Sequence, residues 1–193
     1  MKGCEEVKKV CIDPGHGGKD KGSTGVSGYI EANGVLDISI KLKDKLLTLG
    51  FDVVMTREKD ETVSLVRRAN IINTCGADIA VSIHTNASKN SSAHGIETYY
   101  SAFSKLSDML AKFIQDEVIK ETGLYNRGIK KKLNKDGKDF YFIIRNSQIP
   151  IVLIECGFAT NEIEGKLLSS SIFREKIAQG ILNGIIKYFN NVK

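Results

Sequence analysis

The sequence predicts a single-domain α/β fold, in which a central, mostly parallel twisted sheet is flanked by helices on both faces. Three observations carry that expectation. Short apolar runs alternate with longer segments whose apolar residues recur every three or four positions, the pattern of strand–helix–strand units. The chain has 193 residues, 41% of them hydrophobic, which suits one domain with a substantial core. It holds only two prolines. No low-complexity tract or internal repeat interrupts it, so residues 1–193 are expected to form one unit with its core between about 8 and 190.

Residues 7–12 read as the first strand, which stops at Asp13-Pro14. A glycine-rich loop then runs to about Gly28 and holds His16 between Gly15 and Gly17, where missing side-chain bulk lets other groups approach the imidazole. Val35, Ile38, Leu42, Leu46 and Leu49 trace a helical stripe that Gly50 ends. Residues 52–56 form a strand, residues 65–75 a helix stopped by Gly76, and residues 78–83 an apolar strand running into His84. Residues 95–101, rich in Thr and Tyr, give another strand. The helix after it carries Phe103, Leu106, Leu110, Phe113 and Ile114 on one face. Residues 123–139 are polar and read as a long loop or hairpin, and residues 140–144 and 151–154 as two further strands. The last helix lines up Phe173, Ile177, Ile181, Ile185 and Phe189.

A net charge of +5 suits an anionic partner such as nucleic acid, a membrane surface or bacterial cell wall, and singles out none of them. The densest lysine run, Lys130, Lys131 and Lys132, reads as a solvated loop rather than a binding patch. Cys4, Cys11, Cys75 and Cys156 show no C-x-x-C spacing and lie in or beside apolar segments, as buried free thiols do. The N-terminus has no apolar signal region, and no stretch is long enough to span a membrane. No feature specifies an oligomeric state.

In open α/β sheets, ligands bind outside the carboxyl ends of the strands. His16, His84 and Glu155 each follow a strand, so all three are placed to face one crevice. A catalytic zinc site takes three protein ligands from His and Asp/Glu and leaves the fourth position to water. Of the three histidines, His94 sits in a serine-rich loop and reads as a plain surface residue. Two carboxylates stand out. Glu31 lies just before the first helix, where a favourable contact with the helix dipole would be reason enough for it. Glu155 lies between Ile151-Val152-Leu153-Ile154 and Cys156-Gly157-Phe158, a setting that is costly for a carboxylate without a partner or a task.

A family resemblance rests on these residues and on others in order along the chain. The blocks are Ile12-Asp13-Pro14-Gly15-His16-Gly17-Gly18, Glu31 with Leu36, Thr56-Arg57, and Ser82-Ile83-His84-Thr85-Asn86-Ala87. Gly95-Ile96-Glu97-Thr98-Tyr99-Tyr100, Asn126-Arg127-Gly128, and Glu155-Cys156-Gly157-Phe158 with Asn161 follow. The set resembles the zinc-dependent N-acetylmuramoyl-L-alanine amidases of the autolysin and phage-endolysin type. Carried over residue by residue, the resemblance implies that His16, Glu31 and His84 hold one catalytic Zn²⁺ and that Glu155 is the catalytic carboxylate. It implies bacterial peptidoglycan as the substrate, with no nucleic acid and no stable membrane insertion. It also places the activity at the cell wall, reached either by release from the cytoplasm in the manner of an endolysin or as a secreted protein whose signal is missing. The chain departs from the family at Glu31-Ala32-Asn33-Gly34-Val35, at Cys156, and in a long loop around residues 131–137.

Three rival readings stand beside it. A nucleotide-binding module would read Gly15 to Gly25 as a phosphate cradle, but the loop lacks a G-K-[ST] ending. A non-catalytic cell-wall-binding or adaptor domain would keep the fold and lose the chemistry. A zinc peptidase would cut another amide.

Overall fold

The computed structural model describes residues 7–192. Its centre is a six-stranded sheet of β1 (Lys9–Pro14), β2 (Asp52–Met55), β3 (Ile79–Asn86), β4 (Ile96–Tyr100), β5 (Asn126–Lys130) and β6 (Ile151–Phe158), in the order β2-β1-β3-β6-β4-β5. Strands β2, β1, β3 and β6 are parallel; β4 and β5 are parallel to each other, and β4 runs antiparallel to β6. The sheet is thus mostly parallel and covered on both faces, as the alternating pattern requires.

The two faces are covered unequally. Helices α1 (Glu31–Thr48), α3 (Lys105–Thr122) and α6 (Ser171–Asn191) form a thick layer. Val35, Ile38, Leu42 and Leu46 of α1, Leu110 and Ile114 of α3, and Phe173, Ile177, Ile181 and Ile185 of α6 meet Val10, Ile12, Val81, Ile83, Val152 and Ile154 there. The other face carries only α2 (Leu65–Thr74) and the single turn α4 (Phe142–Arg145), with Ile72, Ile143 and Ile144 packed on Cys11, Ala80 and Leu153. Cys11 and Cys156 are buried free thiols, Cys75 is a half-buried one, and Cys4 lies outside the described residues.

Three expectations need correction, and one helix had not been expected. Residues 140–144 are not a strand: Phe142–Arg145 form a helical turn, and the consecutive Ile143 and Ile144 both pack into the one cluster on the thin face, where a strand would send them to opposite sides. Residues 126–130 form the parallel edge strand β5 instead of loop, with no apolar alternation to announce it. Helix α5 (Glu162–Ser169) follows β6, capped by the Asn161 side chain, which accepts from Ile163 N and Glu164 N. On α3, Phe103 precedes the helix and is exposed, as is Leu106, while Ala111 and Val118 complete the buried stripe.

Candidate metal centre and catalytic cleft

Successive residues of a strand point to opposite faces of its sheet. In β3, Val81 and Ile83 therefore enter the thick layer, and Ser82 and His84 the thin one. The same alternation sends Asp13 of β1, Glu97 and Tyr99 of β4, and Leu153 and Glu155 of β6 to the thin face. Helices α2 and α4 leave the carboxyl ends of β1, β3 and β6 uncovered. A cleft of about 530 Å³ opens there, lined among others by His16, His84, Leu65, Tyr141, Phe142 and Glu155. His84 and Glu155 lie inside their strands rather than after them, and His16 follows β1 by two residues.

His16, Glu31 and His84 are brought together. His16 Nε2 lies 3.1 Å and His84 Nδ1 3.2 Å from the same oxygen, Glu31 Oε1, and one donor atom from each residue falls within 4.8 Å of the others. Zinc binds imidazole and carboxylate at about 2.0–2.1 Å in a tetrahedron, whose corners then stand roughly 3.3 Å apart. The donor types and these two separations fit such an ion. Both rings are oriented: Asp20 Oδ2 holds His16 Nδ1 at 2.8 Å, and the two imidazoles meet edge to face with centroids 4.9 Å apart. Glu31 is held from behind, since its Oε1 also accepts from Thr85 N (3.0 Å) and its Oε2 from Ser23 N (2.8 Å). Helix α1 opens at Glu31 itself, so Glu31 is its first residue rather than lying just before it.

Charge follows this geometry. Burial alone would raise the Glu31 carboxyl, but hydrogen bonds and charge from both imidazoles hold it far below the usual carboxylate range. Burial works against a charged His16, yet its bonds to Glu31 and Asp20 push the imidazole up to about 9.

The glycine loop is shaped by these side chains. A Cβ on Gly15 would stand 2.3 Å from His84 Cε1, and one on Gly22 would meet Glu31 Oε2 at 2.7 Å and the His16 ring at 2.8 Å. His16 has φ +58, a left-handed conformation that is uncommon outside glycine. Two buried arginines clamp the loop by its carbonyls. Arg57 donates to Pro14 O, Gly15 O and Ala32 O; Arg68 donates to Pro14 O and His16 O and pairs with Asp13 Oδ1 at 2.7 Å.

Glu155 borders the same cleft, and its Oε2 is buried without a hydrogen-bond partner. Desolvation pushes its carboxyl up to about 7, with His84 opposing and the charges of Glu31 and Glu97 adding. A half-buried carboxyl poised there can both accept and return a proton near neutral pH.

Sequence reasoning missed four residues here. Asp20 is the only acidic residue between Asp13 and Glu31, which was the available signal. Arg68 carries no local mark. Glu97 appeared in a family block without a role. Glu164 is buried and accepts from Gly95 N and Phe158 N, tying the start of β4 to the end of β6; its position three residues after the capping Asn161 was legible. His94 is exposed and apart from the cluster, as expected.

Fold and site together define a class: single-domain α/β proteins whose two histidines and one carboxylate meet beside a further cleft glutamate, the donor set of metal-dependent hydrolases. The chain belongs to the N-acetylmuramoyl-L-alanine amidase family, which matches residues 10–187. It is 35% identical over 182 residues to the N-acetylmuramoyl-L-alanine amidase LytC of Bacillus subtilis, covering 93% of this chain and 35% of LytC. The chain therefore spans about a third of that relative's length. It is 30% identical over 196 residues to the germination-specific N-acetylmuramoyl-L-alanine amidase of B. subtilis, covering 94% of this chain and 80% of that one. The crystal structure of an N-acetylmuramoyl-L-alanine amidase from Clostridium difficile 630 superposes with a TM-score of 0.90 at 35% identity, covering 98% of this chain and all of that one.

Proposed function

We propose that residues 1–193 are one amidase catalytic domain that hydrolyses the bond between N-acetylmuramic acid and the L-alanine of the stem peptide in bacterial peptidoglycan. The observation that carries this reading is the convergence of His16, Glu31 and His84 within 4.8 Å, beside a Glu155 whose Oε2 has no partner. His16 Nε2, His84 Nδ1 and a Glu31 carboxylate oxygen would hold one Zn²⁺. A bound zinc ion lowers the pKa of water to about 7 and polarises a carbonyl, which an unreactive amide requires.

The protein's own side chains do the rest. Asp20 fixes His16 with Nε2 toward Glu31, and Ser23 N and Thr85 N hold the Glu31 carboxylate in place. Glu155, facing the cleft, takes the proton of the attacking water and returns it to the leaving amine of L-alanine. Such acid–base help is typically worth roughly 10²–10⁴-fold in rate. The phosphate-cradle alternative is disfavoured because the first backbone N–H groups of α1 are already taken, Glu31 N donating to Ser23 O and Ala32 N to Lys21 O.

Among the described residues, no helix is long and apolar enough to cross a membrane. The test is product analysis of purified peptidoglycan incubated with the zinc-loaded protein. New N-terminal alanine, abolished by chelation, is the expected result. New termini at another stem-peptide residue would make the protein a peptidase, and no release at all would make it a binding domain.

A further inference from the structure

Glu97 lies on the thin face beside Glu155. The two are register partners across the antiparallel β4–β6 pair, so their side chains project from one rung of the sheet. Their surroundings are opposite. Glu97 is 3% exposed and saturated: its Oε1 accepts from Asn86 Nδ2 at 2.9 Å and Tyr99 Oη at 2.8 Å, and its Oε2 takes Arg127 Nε at 2.6 Å and Lys130 Nζ at 3.0 Å. Glu155 Oε2 has no partner at all.

The two cations come from β5, the strand beyond β4. Glu155 is two strand spacings away from them, about 10 Å between backbones, within the span of an extended basic side chain meeting a carboxylate. Arg127 has other anchors, since Nη1 donates to His94 O and its guanidinium lies over the Phe158 ring. Lys130 has none besides Glu97 among the contacts of the described residues, and its ammonium sits on a flexible four-carbon stem.

We propose that Glu97 is a positioning residue for Glu155: it gathers Arg127 and Lys130 onto itself and so keeps the neighbouring carboxylate unpaired and turned to the cleft. A basic group ion-paired with Glu155 would tie up the oxygens that must accept a proton. The inference rests on the proposed role of Glu155 as general base.

The test compares Glu97→Gln with the triple variant Glu97→Gln, Arg127→Met, Lys130→Met, on a soluble muramoyl-peptide. Glu155→Gln is assayed alongside, with zinc content and melting temperature measured for each protein. Glu97→Gln is expected to lower kcat by at least about tenfold, with KM and zinc content unchanged, because general-base help is lost. The triple variant is expected to recover most of that loss. A merely structural Glu97 would give a triple variant no better than the single one, and that result overturns the proposal. So does a Glu97→Gln protein with normal kcat while Glu155→Gln is inactive. Activity surviving in Glu155→Gln removes the ground of both readings together. Should Glu97→Gln fail to fold, the triple variant is judged alone: near-normal kcat supports the proposal, and a kcat as low as that of Glu155→Gln overturns it.

Discussion

His84 and Glu155 are register partners on the adjacent parallel strands β3 and β6. A proposed metal ligand and the proposed general base thus share one rung of a rigid sheet. Their separation is set by strand pairing rather than by loops. Functional groups built on strands are held more precisely than groups on loops, so each can be removed with the other still in place.

Glu155→Gln is the first consequence. The amide keeps the shape and removes the proton acceptor, so zinc content should stay stoichiometric while kcat falls by roughly 10²–10⁴-fold. Metal analysis and a turnover assay on the same preparation decide it. A variant that still clears cell walls at the normal rate would defeat the assignment.

His84→Ala should lose the metal on dialysis, since it removes one of three protein ligands. Asp20→Ala should be milder. It removes the group that holds His16 Nδ1 at 2.8 Å, and loss of such an orienting partner typically weakens metal affinity by about 10–100-fold. Competition with a chromophoric chelator measures both. Stoichiometric zinc retained in His84→Ala would exclude it from the ligand set.

Gly15→Ala should damage the site without unfolding the protein. Its Cβ would come within 2.3 Å of the His84 imidazole, which must swing away from Glu31 Oε1. Zinc affinity is expected to drop at least about tenfold, as for other losses of ligand orientation, while the melting temperature changes little. Unaltered affinity would mean that His84 need not occupy this position to bind.

The Asp13–Arg68 pair should make stability depend on acid pH. Burial would raise the Asp13 carboxyl, but Arg68 and hydrogen bonds from Thr56 and Ser82 hold it below its ordinary 3.8. A carboxyl depressed in the folded state contributes stability that is fully present above the unfolded value and is lost as pH falls through the folded one. Melting temperatures should therefore fall below about pH 4, and less steeply in Asp13→Asn. Arg68→Met leaves the buried carboxylate unpaired and should cost about 3–5 kcal/mol in chemical denaturation. The loop carbonyls it clamps, Pro14 O and His16 O, would be freed at the same time, so zinc affinity should fall with it.

Local chemistry made the fold class readable from sequence alone and marked most of the candidate site residues, while their roles came from the family resemblance. Helices α1, α2 and α6 show their apolar periods, and glycines at 50 and 76 stop the first two with positive φ. His16, His84 and Glu155 stood out because each is out of character with its neighbours, imidazoles among glycines or small residues and a carboxylate inside an apolar run, whereas Glu31, at a helix mouth where a carboxylate is at home, was picked out by the resemblance. Elements whose stability comes from neighbours could not be read that way. Strand β5 is half-exposed and lacks alternation, and its pairing exists only because β4 offers an edge. The run Phe140 to Ile144 has strand composition but becomes a turn of helix, because Ile143 and Ile144 must both cover one patch of sheet. What only the tertiary structure decided was proximity. Strand register puts Glu97 and His84 on either side of Glu155, and buried arginines fix the carbonyls of the glycine loop. These contacts join residues tens of positions apart, and no local preference of the chain encodes them.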